Sequence, residues 1–252
     1  MSTACANCSA PLGTPYCGQC GQHAVHGRLS LHDIAHDAWH AIAHLDSGLV
    51  RLVRGLATHP GRVYAEYLAG ARKRYFNPVL FLLLVEGAYI ALGTVVLKRQ
   101  LALTGRTGQL VAEAAVLQAD KLKVLLGLPL LVLLSWLLAR PRYTAAEITV
   151  FWLFCLGFVT GIAELVGLPL QWLVPAQRET IKYIFGWVGG LLLAWHVFAF
   201  FGAARVGAVL RSVAIVLLSL PVLNYAYRLI YRAYGFDVPL GLVATLRDTF
   251  GL

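Results

Sequence analysis

The chain has 252 residues, of which 59% are hydrophobic and 13% charged, and it carries a formal net charge of +9. Soluble domains place ~25% of their residues as charges. So few charged side chains cannot cover a water-facing surface, which excludes a soluble globular enzyme, and so apolar a chain is not a disordered one.

From the N-terminus, the first element is a pair of motifs, Cys5-Ala6-Asn7-Cys8 and Cys17-Gly18-Gln19-Cys20. Each C-x-x-C pair forms a knuckle that aims two thiolates at one ion, and two knuckles supply the four ligands of a closed tetrahedral Zn2+ site. Gly18 and Gly21 supply the backbone freedom that the second turn needs. Two disulfides or a redox-active pair are the alternatives. A thioredoxin-type pair opens a helix of an α/β domain, whereas these pairs lie in a Pro- and Gly-containing stretch with few apolar residues. A four-cysteine site has no open position, so the expected zinc is structural. Thiolates available to a metal imply a reducing compartment and place the N-terminus in the cytoplasm. Met1-Ser2-Thr3-Ala4 lacks the basic start of a secretory signal, so the first apolar run is expected to be an uncleaved anchor.

Between Ser30 and Thr58 apolar residues recur at steps of three and four, the period of an amphipathic helix. Asp46-Ser47-Gly48 interrupts it, Pro60-Gly61 breaks it again, and Val63, Tyr64, Tyr67 and Leu68 predict a third short helix. His32, His36, His40 and His44 follow one another at i, i+4, so neighbouring pairs share a helix face. That series is read as a second metal site, a pH-sensing face or simply a polar face. The flanking Arg51, Arg54 and Arg62 favour helices lying along the membrane surface, with packing on the cysteine module as the alternative.

Beyond Asn77 the sequence becomes a series of spans, since an apolar core of ~30 Å needs ~20 helical residues. The first, 78–97, opens with Asn77 as N-cap and Pro78 at the first helical position. Stretches 122–139, 148–170, 181–204 and 207–230 follow, so about five spans are expected. Arg72-Lys73-Arg74-Tyr75 stands immediately before the first one, where basic residues stay cytoplasmic and contact anionic lipid headgroups.

Glu86 and Glu164 fall inside spans, where a charge is costly; they are read either as a cation or proton path or as protonated groups bonded between helices. His196 adds isolated polarity in a later span. Gly157-x3-Gly161 and Gly186-x3-Gly190 fit close helix packing. No phosphate loop, H-E-x-x-H or G-x-S-x-G is present, so catalysis is not expected. Neither is nucleic-acid binding, for want of a recognition helix or stacking platform.

The order of several of these motifs is familiar. The two C-x-x-C pairs with Tyr16-Cys17-Gly18-Gln19-Cys20-Gly21-Gln22, then His44-Leu45-Asp46, His59-Pro60-Gly61 and Glu66-Tyr67-Leu68-Ala69-Gly70-Ala71-Arg72-Lys73-Arg74-Tyr75-Phe76-Asn77-Pro78, resemble an uncharacterised bacterial membrane-protein family over roughly the first 95 residues. The resemblance implies a zinc ribbon followed by membrane helices and no particular reaction. A Glu-His pair of that family is represented here by Glu147 followed by Ile148, so no role for its histidine carries over.

The expectation is thus an all-α polytopic membrane protein with a zinc ribbon over 1–27, cytosolic or interfacial amphipathic helices over 28–76 and a transmembrane domain over 77–252. It is read as an interaction platform at the cytoplasmic face of the bacterial inner membrane, meeting a protein partner through the ribbon. Homo-oligomerisation is compatible with this pattern. A small transporter or channel using Glu86 and Glu164 is the competing class, and an intramembrane enzyme using His196 or the histidine series is the third.

Overall fold

The computed structural model describes residues 4–22, 29–31, 34, 48–105, 124, 127–139, 142–202 and 206–233. The expected histidine face of His32, His36, His40 and His44 lies outside them. Among the described residues the chain is helical, with no strand beyond an isolated bridge between Ala4 and Pro11.

Helices α1 (Gly48–Thr58) and α2 (Pro60–Leu68) precede the membrane segment. In α1 Leu52 and Leu56 lie on one face and are fully buried, while Val50 and Arg51 face outward, as an amphipathic pattern requires. His59 separates the two helices, with Pro60 at the first position of α2. The C-terminus of α2 closes as a Schellman motif: Ala71 N–H donates to Glu66 O at 3.0 Å and Gly70 N–H to Tyr67 O at 3.1 Å. Gly70 holds φ at +105°, a conformation that a side chain would resist.

A 3-10 turn, Arg72–Arg74, leads into α3 (Pro78–Leu103). Asn77 Oδ1 accepts the N–H groups of Val79 at 2.9 Å and Leu80 at 3.2 Å, so the expected cap and the following proline start the helix together. Next come α4 (Gly127–Ala139) and α5 (Ala145–Thr160). A capping box between Thr144 and Glu147 starts α5. One π-helical segment, Gly161–Val166, joins α5 to α6 (Gly167–Leu173). After a 3-10 turn at Pro175–Gln177 follow α7 (Arg178–Phe201) and α8 (Val206–Ala233), the latter with Pro221 inside it.

Among the described residues three helical stretches are long and apolar enough to cross a membrane: Arg72–Leu103, Ala145–Leu173 and Pro175–Phe201. The chain is a membrane protein by that measure. Helix α5 is apolar all round and occupies the centre, with Ile148, Val150, Phe151, Trp152, Phe154 and Cys155 fully buried. Its neighbours α3 and α7 keep one apolar face outward, at Leu84, Leu92 and Val95 and at Ile184, Trp187 and Leu191.

Cross-contacts fix the directions. Phe81 lies against Phe154, Val85 against Gly161 and Arg99 over Trp172, so α3 runs parallel to the α5–α6 rod. Phe151 stacks on Phe200 and Phe158 on His196, so α7 runs antiparallel. Gly157 permits close approach of α3 and α5, because a Cβ there would sit 2.9 Å from the Phe81 ring and 3.4 Å from Leu82 Cα. The expectation for Gly186 and Gly190 is corrected: nothing among the described residues lies within 4 Å of a Cβ at either.

Candidate functional site

Two neighbouring features carry polar chemistry, the cysteine head and the corner where α2 meets α5 and α7. In the head the two C-x-x-C turns repeat the same backbone bonds. Cys5 N–H donates to Ala10 O and Cys17 N–H to Gln22 O, both at 2.8 Å; Ser9 N–H donates to Cys5 O at 2.8 Å and Gly21 N–H to Cys17 O at 2.7 Å. The residue after the second cysteine is left-handed in each, Ser9 at φ 62° and Gly21 at φ 67°. The glycine assignment is corrected accordingly: the second knuckle uses Gly21 rather than Gly18, and the first uses a serine.

All five cysteines are free thiols. The four sulfurs of Cys5, Cys8, Cys17 and Cys20 all lie within 4.8 Å of one another, with Cys5 to Cys20 at 3.6 Å and Cys8 to Cys17 at 3.5 Å. A tetrahedral ion with metal–sulfur bonds of ~2.3 Å has sulfur–sulfur edges of ~3.8 Å, so the set fits a four-thiolate metal site. Amide N–H groups of Cys20 and Gln19 point at the Cys17 sulfur and bring its pKa down to about 6. Cys8 is pushed up to about 12: the Ala10 amide pulls it down, but burial and the neighbouring sulfurs outweigh that. A bound cation would favour the thiolate at every position and displace the remaining protons.

Gln22, immediately after the second knuckle, ties this head to the membrane entry. Its Nε2 donates to Gly70 O, and its Oε1 accepts the Lys73 N–H at 3.1 Å. The Lys73 ammonium lies 3.2 Å from where a Gly21 Cβ would be, against the second knuckle. Four thiolates around a divalent ion carry a net charge of −2, and a cation at this distance offsets part of it. Arg74 turns the other way, 3.1 Å from Glu66, which also takes Arg62 at 2.7 Å and the Tyr75 hydroxyl at 2.7 Å. The basic run expected to meet lipid headgroups is therefore shared between the head and Glu66.

At the corner, the Tyr64 hydroxyl stands 2.6 Å from His196 Nδ1. Both side chains are almost wholly buried. Burial holds the Tyr64 phenol well above its usual pKa, so it remains protonated. Phe158 and Trp195 flank the imidazole, and its Nε2 has no hydrogen-bond partner among the described residues. Gly61 lets α2 approach the end of α7, since a Cβ there would meet Ala199 O at 2.9 Å. Deeper in the bundle, Thr160 Oγ1 donates to Glu86 Oε1 at 3.3 Å, while Glu164 lies within the π-helical segment.

Sequence reasoning singled out the cysteines, Glu86, Glu164 and His196 but passed over Gln22, Tyr64 as a polar partner, and Glu147 as a capping residue. Gln22 had a signal, its place one residue past the Cys-Gly-Gln-Cys-Gly run. Thr144-Ala145-Ala146-Glu147 also shows the spacing of a capping box.

These features define a helical membrane protein with a four-cysteine head that fits a metal ion. Residues 46–89, which run from just before α1 into α3, match the DUF3667 family, described as a protein of unknown function. No curated protein and no solved structure matches the chain.

Proposed function

We propose that the protein holds a zinc-stabilised head against the cytoplasmic face of a bacterial inner membrane and uses it as a docking platform for a protein partner. The observation that carries this reading is Gln22, whose amide bridges Gly70 and Lys73 and so fixes the head on the turn that enters the membrane. A head fixed in this way presents one surface at a set height above the bilayer. Zinc suits four thiolates in a closed tetrahedron and brings no redox chemistry of its own. The site therefore contributes folding rather than catalysis.

The side is argued from charge. Arg51, Arg54, Arg62, Arg72, Lys73 and Arg74 stand ahead of the first long apolar helix, with Glu66 the only acid among them. Excess basic residues next to spans stay cytoplasmic. That side is also reducing, which keeps thiolates available to zinc.

Cross-linked capture from membranes tests the platform, comparing the full chain with one lacking residues 1–27 and with Cys17→Ser/Cys20→Ser. A partner recovered with the full chain and lost from both variants supports the reading. The same set of proteins from all three contradicts it.

A second reading, cation or proton movement, draws on the Thr160–Glu86 bond beside the π-helical segment that contains Glu164, because such segments recur at functional sites. Glu86→Gln and Glu164→Gln proteins that fold but lose a proton- or cation-dependent flux in proteoliposomes would favour it over the platform.

A further inference from the structure

A cavity of about 300 Å³ opens at the corner between α2, the start of α5 and the end of α7, and neither the metal nor the platform reading uses it. Its walls change character from one end to the other. Leu68 and Phe200 supply an apolar side, Tyr64 and Tyr143 aromatic flanks, and Arg142 and Glu147 the charges.

The parallel pairing of α3 with the α5–α6 rod gives the height of this cavity. Phe81 pairs with Phe154, Val85 with Gly161 and Arg99 with Trp172, which sets Asn77 level with Phe151 and hence with Phe200, stacked on it. From Asn77 to Arg99 is ~33 Å at ~1.5 Å per residue, close to the ~30 Å thickness of a hydrocarbon core. Arg99 over Trp172, at 4.0 Å, marks the far boundary, where cations and aromatic rings collect. By the same measure Glu147 stands about 6 Å beyond the near boundary. Headgroups occupy ~5–8 Å on each side of the core. Phe200 thus stands at the boundary of the hydrocarbon core, where acyl chains begin, and Glu147 and Arg142 stand at headgroup level.

The backbone is arranged to place the guanidinium there. Gly202 holds φ at +74°, and the Arg142 nitrogens lie 3.9 and 4.0 Å from where its Cβ would be, next to the C-terminal end of α7. The Tyr143 hydroxyl donates to Phe200 O at 3.0 Å and pins the loop to that end. Thr144 N–H donates to Glu147 Oε2 at 2.8 Å, which fixes the carboxylate.

We propose that this cavity binds the headgroup of a single bilayer phospholipid, with the phosphate on Arg142 and the upper acyl segment along Leu68 and Phe200. Planar guanidinium recognises phosphate through paired charge-assisted bonds. The proposal rests on the bilayer placement alone, so loss of the metal or of a partner leaves it standing.

The test is native mass spectrometry of the delipidated full-length protein in detergent. It is titrated separately with dioleoyl phosphatidylglycerol, with diacylglycerol, and with glycerophosphate or inorganic phosphate. The wild type should retain the phospholipid and none of the others. Arg142→Gln should weaken retention about tenfold, the loss of roughly one charge-assisted interaction. Arg142→Lys should recover part of it, and Ala65→Trp, which fills the cavity from an exposed position on its wall, should abolish it. An unchanged thermal midpoint establishes that each variant is folded. Equal retention in all variants overturns the proposal, as does equal retention of diacylglycerol. Arg142-dependent binding of free phosphate without lipid retention overturns the lipid assignment.

Discussion

Tyr64 and His196, far apart in sequence, are joined by a 2.6 Å hydrogen bond that fastens the helix before the membrane to the last turns of a span. Two consequences follow. The orientation of α2 depends on a polar contact inside an otherwise apolar cluster, and each partner protects the other from being a buried orphan. Tyr64→Phe or His196→Phe alone should destabilise the protein by about 1–3 kcal/mol, the cost of a buried group left unsatisfied. The double variant should lose less than the sum of the singles. Thermal unfolding in detergent of the full cycle measures this, and additive single losses would count against the bond.

Undocking the head should be separable from emptying it. Gln22→Leu removes the bonds to Gly70 O and Lys73 N–H and touches no cysteine. The expected outcome is faster hydrogen exchange at the Lys73 amide with metal content unchanged. Exchange equal to wild type would mean that Gln22 does not hold the head.

The two knuckles respond oppositely to a change at equivalent positions. Ser9 pays for a left-handed backbone at φ 62°, so Ser9→Gly should strengthen the head by about 1 kcal/mol. Gly21→Ala imposes the same cost at φ 67° and brings a methyl within 3.2 Å of the Lys73 ammonium, so it should weaken the head by a similar or larger amount. Chelator concentration at half-release of the metal gives both signs in one assay.

Some of this was legible in the sequence, and the reason is locality. Asn77-Pro78 starts α3 through bonds that reach only to Leu80, and the C-x-x-C turns close within six residues, so the side chains responsible stand next to the structure they make. The amphipathic residues around Leu52, Leu56 and Tyr64 announced a buried face but not what covers it. They pack against the bundle, through Phe151 and Phe200 in the case of Tyr64, in addition to any surface-lying or head-packing role expected of them. The difference between Gly157 and Gly186 was also hidden, because both sit in the same G-x3-G pattern and only the partner helix distinguishes them. The π-helical segment at Gly161–Val166 had no sequence marker.

That glycine contrast is directly measurable. Gly157→Ala should lower the thermal midpoint, since its Cβ would press on the Phe81 ring and approach the Leu82 backbone, at a cost of roughly 1–3 kcal/mol. Gly186→Ala and Gly190→Ala meet nothing within 4 Å among the described residues and should be neutral or slightly stabilising.

Glu66 predicts the acid response of the membrane entry. Its hydrogen bonds from Arg62 and Tyr75, with the nearby Arg74, hold its pKa below the usual glutamate range. A carboxylate depressed in the folded state adds stability that is fully present above the unfolded pKa of ~4.3 and is lost as pH falls through the folded value. Unfolding midpoints from neutral pH into the acid range should therefore fall in the wild type and fall less in Glu66→Gln.

The most direct test of the whole account is labelling by a membrane-impermeant maleimide in a Cys155→Ala background, where every remaining thiol belongs to the head. In intact bacterial cells the head should stay unlabelled; in inverted membrane vesicles it should label only after a chelator is added. Labelling in intact cells, or labelling of inverted vesicles that ignores the chelator, would contradict it.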